Sequence, residues 1–246
     1  LIEREYPKPV ITLRKLDSNF KPRKAKLGHL TVEVTAKPLT VLVTTSDNKP
    51  VQKITFTPDG KMFFALDGQP VLGLGEGGPK QSGKWQDDKI EFDRRGRAHI
   101  LQPRYDTKAY GSRSPVALLA GTGGWGLFVA TPWGDIDLTS KETGTFTPAV
   151  PIEPGTVVSR RQQRQGRIGL PPPGWKTDVY DVFVFDAHKP ATFMKDVSTI
   201  SGPAVLPPRW AMGYMQSHRT LEDDAQIVGI LDTFRKKQIP VDAVIY

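Results

Sequence analysis

Four histidines, His29, His99, His188 and His218, are the side chains best suited by type to move protons or to hold a metal. No two of them stand three or four residues apart, the spacing at which a helix presents a metal-binding pair. His29, His99 and His188 read as surface or turn residues. His218 differs by position, because it follows a strand that opens a β-α-β unit. Adjacent carboxylates occur at Asp87-Asp88 and Asp223-Asp224. Sequence neighbours rarely face one site, so a solvated turn and a helix N-terminus account for them. No serine, histidine and acid arrangement follows from the spacing. Cysteine is absent, which excludes a thiolate nucleophile, a disulfide scaffold and any cysteine-ligated zinc or iron–sulfur centre.

Glycine-rich turns raise a phosphate site and then argue against it. Gly73-Leu-Gly75-Glu-Gly-Gly78 has the spacing of a dinucleotide fingerprint, and Gly78-Pro-Lys-Gln-Ser-Gly83-Lys84 comes within one residue of a P-loop. Both require the loop to open a helix whose N-terminal amides hold phosphate. Pro79, Gly83 and the mixed residues after Trp85 give no amphipathic helix, and Trp85 stands where a magnesium-binding hydroxyl is needed. A glycine-rich turn beside a sheet fits better. No cofactor and no metal are expected.

The 246 residues carry 34 lysines and arginines against 26 aspartates and glutamates, a formal net charge of +8. The basic residues are spread along the chain apart from Arg160, Arg161, Arg164 and Arg167, which read as a solvated loop. A nucleic-acid partner is therefore not expected. Apolar runs fall far short of the roughly 18 residues that span a bilayer, so no membrane partner is expected either. Leu1–Phe20 shows no signal peptide, and the absence of an initial methionine suits a processed form or a cut-out piece. The compartment stays open, with a periplasmic or extracellular location favoured over the cytoplasm.

Positioning elements follow from periodicity. Alternating or buried-type strands recur from Val10 to about Val184: Leu30–Thr35, Leu39–Thr45, Lys53–Thr57, Lys61–Leu66, Lys89–Asp93, Val116–Ala120, Gly126–Ala130 and Asp178–Phe185. Turn chemistry separates them, as at Pro58-Asp-Gly60 and Gly121-Thr-Gly-Gly124. Many short strands with turns between them predict an antiparallel β-sandwich. The period then changes. Ala191–Ile200 predicts a helix, and Leu206-Pro-Pro-Arg209 a stiff linker. Trp210–Gln216 predicts a buried strand. Thr220 is expected to cap a helix, with Asp223 three residues on, and Val241–Tyr246 predicts a second strand. A β-α-β order with short connections predicts parallel strands. The expected domains are a β-sandwich over 1–190, a helix and proline-rich linker over 191–208, and the start of an α/β domain over 209–246. The class is mostly β.

The segment Gly202-Pro-Ala-Val-Leu-Pro-Pro-Arg-Trp-Ala-Met-Gly-Tyr-Met-Gln-Ser217 resembles the lead-in to the catalytic barrel of glycoside hydrolase family 31, the α-glucosidase and α-xylosidase family, with its Gly-x-x-x-x-x-Pro-x-Trp-x-x-Gly pattern. Phe234-Arg-x-x-x-Ile-Pro-x-Asp242 is in the expected register. Leu72-Gly-Leu-Gly-Glu76 is similar to the family's Gly-x-Gly-Glu turn, Gly123-Gly-Trp-Gly-Leu-Phe-Val129 to its Gly-Tyr-Gly strand, and Asp186–Lys195 to its exit from the sandwich.

The resemblance implies a sandwich followed by the first β-α-β of a (β/α)₈ barrel, truncated at Tyr246. It implies a retaining α-glycosidase whose nucleophile and general acid/base are aspartates on later barrel strands, outside these residues. The implied partner is an α-linked carbohydrate; the oligomeric state is open. The substrate-binding residues it implies are Asp106, on a sandwich loop, and Gln216, His218, Arg219 and Leu221 after the first barrel strand. Asp106 has a second reading, a solvated turn aspartate. Family α-glucosidases place an aromatic in the pocket where this chain has Leu221, and tend to have one where it has Arg219. Arg219 either pairs with a charged or strongly polar substituent or serves structurally. A transglycosylase of the same family and a non-catalytic carbohydrate-binding sandwich are the alternatives.

Overall fold

The computed structural model describes residues 23–78, 92–101, 111–156, 171, 173–177, 180–218 and 220–245. The chain divides into two compact units, Leu1–Ile200 and Ser201–Tyr246. The expected strand Lys89–Asp93 lies for the most part outside the described residues, as does the Arg160–Arg167 cluster.

The first unit holds strands β1 (Arg23–Leu27), β2 (Leu30–Ala36), β3 (Leu39–Thr45), β4 (Pro50–Phe56), β5 (Met62–Ala65), β6 (Val71–Gly73), β7 (Glu76–Gly78), β8 (Ala98–Ile100), β9 (Gly111–Ser114), β10 (Leu118–Gly121), β11 (Trp125–Val129), β12 (Gly134–Asp137), β13 (Thr143–Pro148) and β14 (Val182–Asp186). Ten of them form one sheet in the order β1-β2-β3-β4-β5-β13-β12-β8-β9-β7, and four form a second in the order β14-β11-β10-β6. Pairing is antiparallel as expected, except that β8 and β9 meet in parallel at Ile100 and Gly111.

The period-2 pattern places alternate residues on the inner faces. Val43, Ile54, Met62, Phe64, Ile136 and Phe146 of the larger sheet meet Leu119, Trp125, Leu127 and Val129 of the smaller in one buried cluster. Phe64 and Trp125 touch across it, with ring centroids 6.1 Å apart. This is the β-sandwich. Helix α1 (Pro190–Ser201) sets Phe193 edge-on to Phe185 at 5.5 Å, over Gly126, where a Cβ would stand 2.4 Å from the Phe193 ring.

Between β6 and β7 the chain leaves the smaller sheet for the larger. The corner is built from three consecutive left-handed residues, Gly73 (φ 106°), Leu74 (φ 63°) and Gly75 (φ 74°). The fingerprint-like glycines Gly73–Gly78 thus form a strand, a corner and a strand rather than the mouth of a helix.

The second unit contains a short 3₁₀ turn (Arg209–Met212), strand β15 (Met215–Ser217), helix α2 (Asp224–Lys236) and strand β16 (Ala243–Ile245). β15 and β16 run parallel with Met215 opposite Ala243 and Ser217 opposite Ile245. Two local expectations are corrected. Trp210–Gln216 is not one buried strand: Pro208 (φ −61°) starts a turn in which Ala211 N–H donates to Pro208 O at 2.9 Å. Trp210, Met212 and Tyr214 are all at least half exposed. Thr220 is not the helix cap. Asp223 takes that position in extended conformation, and its Oδ1 accepts the N–H of Gln226 at 2.8 Å, while Gln226 Oε1 accepts from Glu222 N–H at 2.9 Å. The N-cap half of a capping box is present, three residues later than expected, while the Gln226 side chain reaches one residue further back, to the N–H of Glu222. The first turn carries Asp224 and the last Arg235 and Lys236, each matching the helix dipole.

Candidate functional site

Parallel strands of an α/β layer present their functional residues at their C-terminal ends. For β15 that end is Ser217 and the residues after it. The ladder with β16 continues one step further, because His218 N–H donates to Ile245 O at 2.9 Å. His218 Nδ1 accepts from the N–H of Thr220 at 3.3 Å. In the neutral ring that contact puts the proton on Nε2, so the exposed imidazole offers an N–H donor at the strand end.

Gln216 shares a strand face with Tyr214, whose ring lies 5.7 Å from that of Phe234 on α2. The Tyr214 hydroxyl donates to Gln216 Oε1 at 2.6 Å, and Gln216 Nε2 donates to Ser217 O at 3.1 Å. Met215 and Ser217 project to the opposite face. Leu221 is half-buried in the connection to α2. Arg219 lies outside the described residues. So does Asp106, between β8 and β9; the strands flanking residues 102–110 stand side by side at Ile100 and Gly111. The structure therefore places Gln216 on β15, His218 directly after it and Leu221 in the connection to α2. Asp223 is used as a helix cap.

Two polar clusters of the first unit have no local sequence signature. One grips the β6–β7 corner. Arg94, 8% exposed, donates through Nε to Gly73 O at 2.9 Å and through Nη2 to Gly75 O at 3.3 Å. Its own N–H donates to Val71 O at 2.7 Å, and Asp93 Oδ1 accepts from Val71 N–H at 3.1 Å. Asp93 is held at a pKa of about 2 by its hydrogen bonds from the Arg95 guanidinium, which outweigh burial, with further bonds from the N–H groups of Val71 and Arg95. His99 was expected at the surface or in a turn and is buried instead. It lies on the inner face of β8 opposite Ile136, and its Nε2–H donates to Arg94 O at 2.7 Å. Burial pushes its pKa down and disfavours the charged ring. The second cluster joins His29, Asp186 and His188. Among the described residues no group of three or more histidines or carboxylates is placed to hold a metal ion, and no helix is long and apolar enough to cross a membrane.

Residues 204–246 match the sequence model of the glycosyl hydrolases family 31 TIM-barrel domain. Alpha-glucosidase 2 of Bacillus thermoamyloliquefaciens is 34% identical over 64 residues, which is 26% of this chain and 8% of that protein. Among solved structures, the family 31 dextranase of Flavobacterium johnsoniae, complexed with isomaltotriose, superposes with a TM-score of 0.64 at 17% identity, covering 91% of this chain and 25% of the other. A xylosidase from Aspergillus niger superposes with a TM-score of 0.60 at 14% identity, covering 91% and 29%. The chain thus spans 8% of its curated relative and about a quarter of these structures. The structures share its fold, and over residues 204–246 the sequence is similar to the barrel domain of glycosyl hydrolase family 31.

Proposed function

We propose that this chain is the N-terminal part of a retaining α-glycosidase that hydrolyses α-linked glycosides or oligosaccharides by double displacement. The observation that carries the reading is the parallel β15–α2–β16 unit, which lies within the stretch matched by the family's barrel domain. A retaining displacement needs two carboxylates about 5–5.5 Å apart, one as nucleophile and one as acid and then base. On this reading both belong to later barrel strands of a longer polypeptide. These 246 residues supply pocket wall rather than bond-breaking chemistry.

The substrate-binding set proposed is Asp106, Gln216, His218, Arg219 and Leu221. His218 offers its Nε2–H to a sugar hydroxyl, and Asp106 accepts from sugar hydroxyls as a carboxylate. Gln216 is engaged by Tyr214 and Ser217, so it reaches substrate by exchanging one of those contacts. Leu221 and Arg219 replace aromatics of the family's α-glucosidases and turn specificity away from plain glucosides. Arg219 suits a charged or strongly polar substituent, which its planar guanidinium binds through two parallel hydrogen bonds. The dextranase complexed with isomaltotriose supports a carbohydrate as the partner class.

The test is kinetic, in the full-length polypeptide. A charge-assisted contact to a hydroxyl contributes about 1.5–3 kcal/mol, so Asp106→Ala lowers kcat/KM on aryl α-glycosides by roughly one to two orders of magnitude with an unchanged circular dichroism spectrum. Kinetics unchanged within about twofold would remove Asp106 from the site. Transfer to a sugar acceptor as the main outcome, in place of hydrolysis, would assign the protein to the transglycosylases of the family.

A further inference from the structure

The parallel ladder of the second unit has two unlike faces. Tyr214, just before β15, sets its ring 5.7 Å from that of Phe234 on α2, and its hydroxyl donates to Gln216 Oε1 at 2.6 Å. Tyr214 and Gln216 therefore stand on the side of the ladder that the helix covers. Side chains alternate along a strand, so Met215 and Ser217 stand on the other side. The register extends that side to β16, with Met215 opposite Ala243 and Ser217 opposite Ile245.

The side away from α2 changes character along its length. Met215 and Ala243 are apolar and half-buried, whereas Ser217 and Ile245, one layer nearer the C-terminal end, are exposed. Within the two strands Ser217 is the polar residue on that face. Its backbone is held in place: Gln216 Nε2 donates to Ser217 O at 3.1 Å, and the N–H of the next residue, His218, donates to Ile245 O at 2.9 Å. Its hydroxyl makes no hydrogen bond with another described residue.

We infer that the Ser217 hydroxyl is a further substrate contact, hydrogen-bonding one hydroxyl of the sugar while Ile245 beside it meets the apolar C–H face of the ring. The inference rests on the glycosidase reading proposed above and adds a residue to its binding set. In a parallel α/β barrel the helices cover one face of each strand and the other face looks inward. Layers of mostly apolar side chains fill that interior, and the C-terminal strand ends carry the site. Met215 and Ala243 have the composition of a filling layer. Ser217 comes one layer later, at the end where the pocket opens. A pyranoside carries hydroxyls around its edge and C–H bonds on its faces, so a hydroxyl next to an isoleucine matches both. Serine both donates and accepts, and it selects for the position of a sugar hydroxyl rather than for charge.

Kinetics of the full-length polypeptide test this contact. The probes are the p-nitrophenyl α-glycoside that the parent cleaves fastest and its monodeoxy forms, each lacking one sugar hydroxyl. Ser217→Ala is expected to lower kcat/KM about three- to tenfold on the fully hydroxylated glycoside, the effect of one neutral hydrogen bond, with Tm unchanged. On the one monodeoxy form that lacks the partner hydroxyl, parent and variant should agree within about twofold, while the other forms keep the full loss. The same loss on every form would assign Ser217 to packing, and no loss on the full glycoside would take it out of the site. Either result overturns the inference and leaves the glycosidase reading intact. No turnover of any aryl α-glycoside by the parent would overturn that reading and the inference with it.

Discussion

The Nε of Arg94 donates to the carbonyl oxygen of Gly73 across 2.9 Å, at the corner where the chain leaves the smaller sheet for the larger. Backbone carbonyls in a left-handed corner have no ladder partner, and Arg94 provides for two of them at once. Arg94→Met removes the donors while keeping the buried stem. Each carbonyl left unsatisfied costs about 1–3 kcal/mol, so urea unfolding should show a loss of about 3 kcal/mol in all. Arg94→Lys should recover only part, since one ammonium cannot reproduce the fork. A loss under about 0.5 kcal/mol for Arg94→Met, the scale of an ordinary surface change, would show that the corner holds itself.

Gly73 at this corner and Gly68 in the β5–β6 connection form a matched pair. Both are left-handed, at φ 106° and 78°, but a Cβ at Gly73 would stand 2.1 Å from Leu118 O, while at Gly68 it would meet nothing within 4 Å. Gly68→Ala should cost only backbone strain, about 1 kcal/mol. Gly73→Ala adds a clash with backbone that cannot swing aside and should cost about 3 kcal/mol or more. Calorimetric Tm values of the two variants check the difference.

Asp93 gives an acid-side prediction. Its carboxyl, held at about 2, binds a proton less readily in the fold than in the unfolded chain. That stability is present above the unfolded value of about 3.9 and is lost as pH falls toward about 2. The side chain is 37% exposed, so solvent screening reduces the contribution to about 1 kcal/mol. Asp93→Asn should therefore destabilise the chain at neutral pH and by much less near pH 2, as read by urea titration at both.

In the second unit, the Asp242 carboxylate occupies the space beside Gly213: a Cβ there would lie 1.8 Å from its Oδ2. Gly213 has φ −92°, which any residue adopts, so the demand is for room alone. Gly213→Ala should displace the carboxylate at a cost of about 1 kcal/mol, within the range for modest overpacking. The double variant with Asp242→Ala should be less destabilised than the sum of the single changes. A double-mutant cycle with no coupling would refute the contact.

Much of this was legible in the residues. Pro58-Asp-Gly60 and Gly121–Gly124 marked two hairpins, β4–β5 and β10–β11, that the structure contains. The change of period after Pro208 marked the parallel β-α-β unit. What was not legible has physical reasons. Trp210–Tyr214 is apolar enough to read as a buried strand, but the φ of Pro208 starts a tight turn and leaves Trp210 57% exposed. Thr220-x-x-Asp223 and Asp223-x-x-Gln226 both look like capping boxes; in the structure Asp223 is the N-cap and accepts from Gln226 N–H, while the Gln226 amide accepts from Glu222 N–H. His99 alternates inward with the pleat of β8, which no spacing between histidines reveals. His29 and Asp186 meet across 157 residues, a separation at which local pattern carries no information. For the candidate site, the place of Gln216 on a strand and of His218 directly after it was legible, but the engagement of Gln216 by Tyr214 was not.

The central claim is that this chain leads into the barrel of a retaining α-glycosidase. Proton NMR of the first product anomer, recorded while the full-length polypeptide hydrolyses an aryl α-glycoside, tests it most directly. The account predicts the α-anomer first, followed by slow mutarotation, and no turnover by the 246-residue chain alone. The β-anomer first, or turnover by the isolated chain, would contradict it.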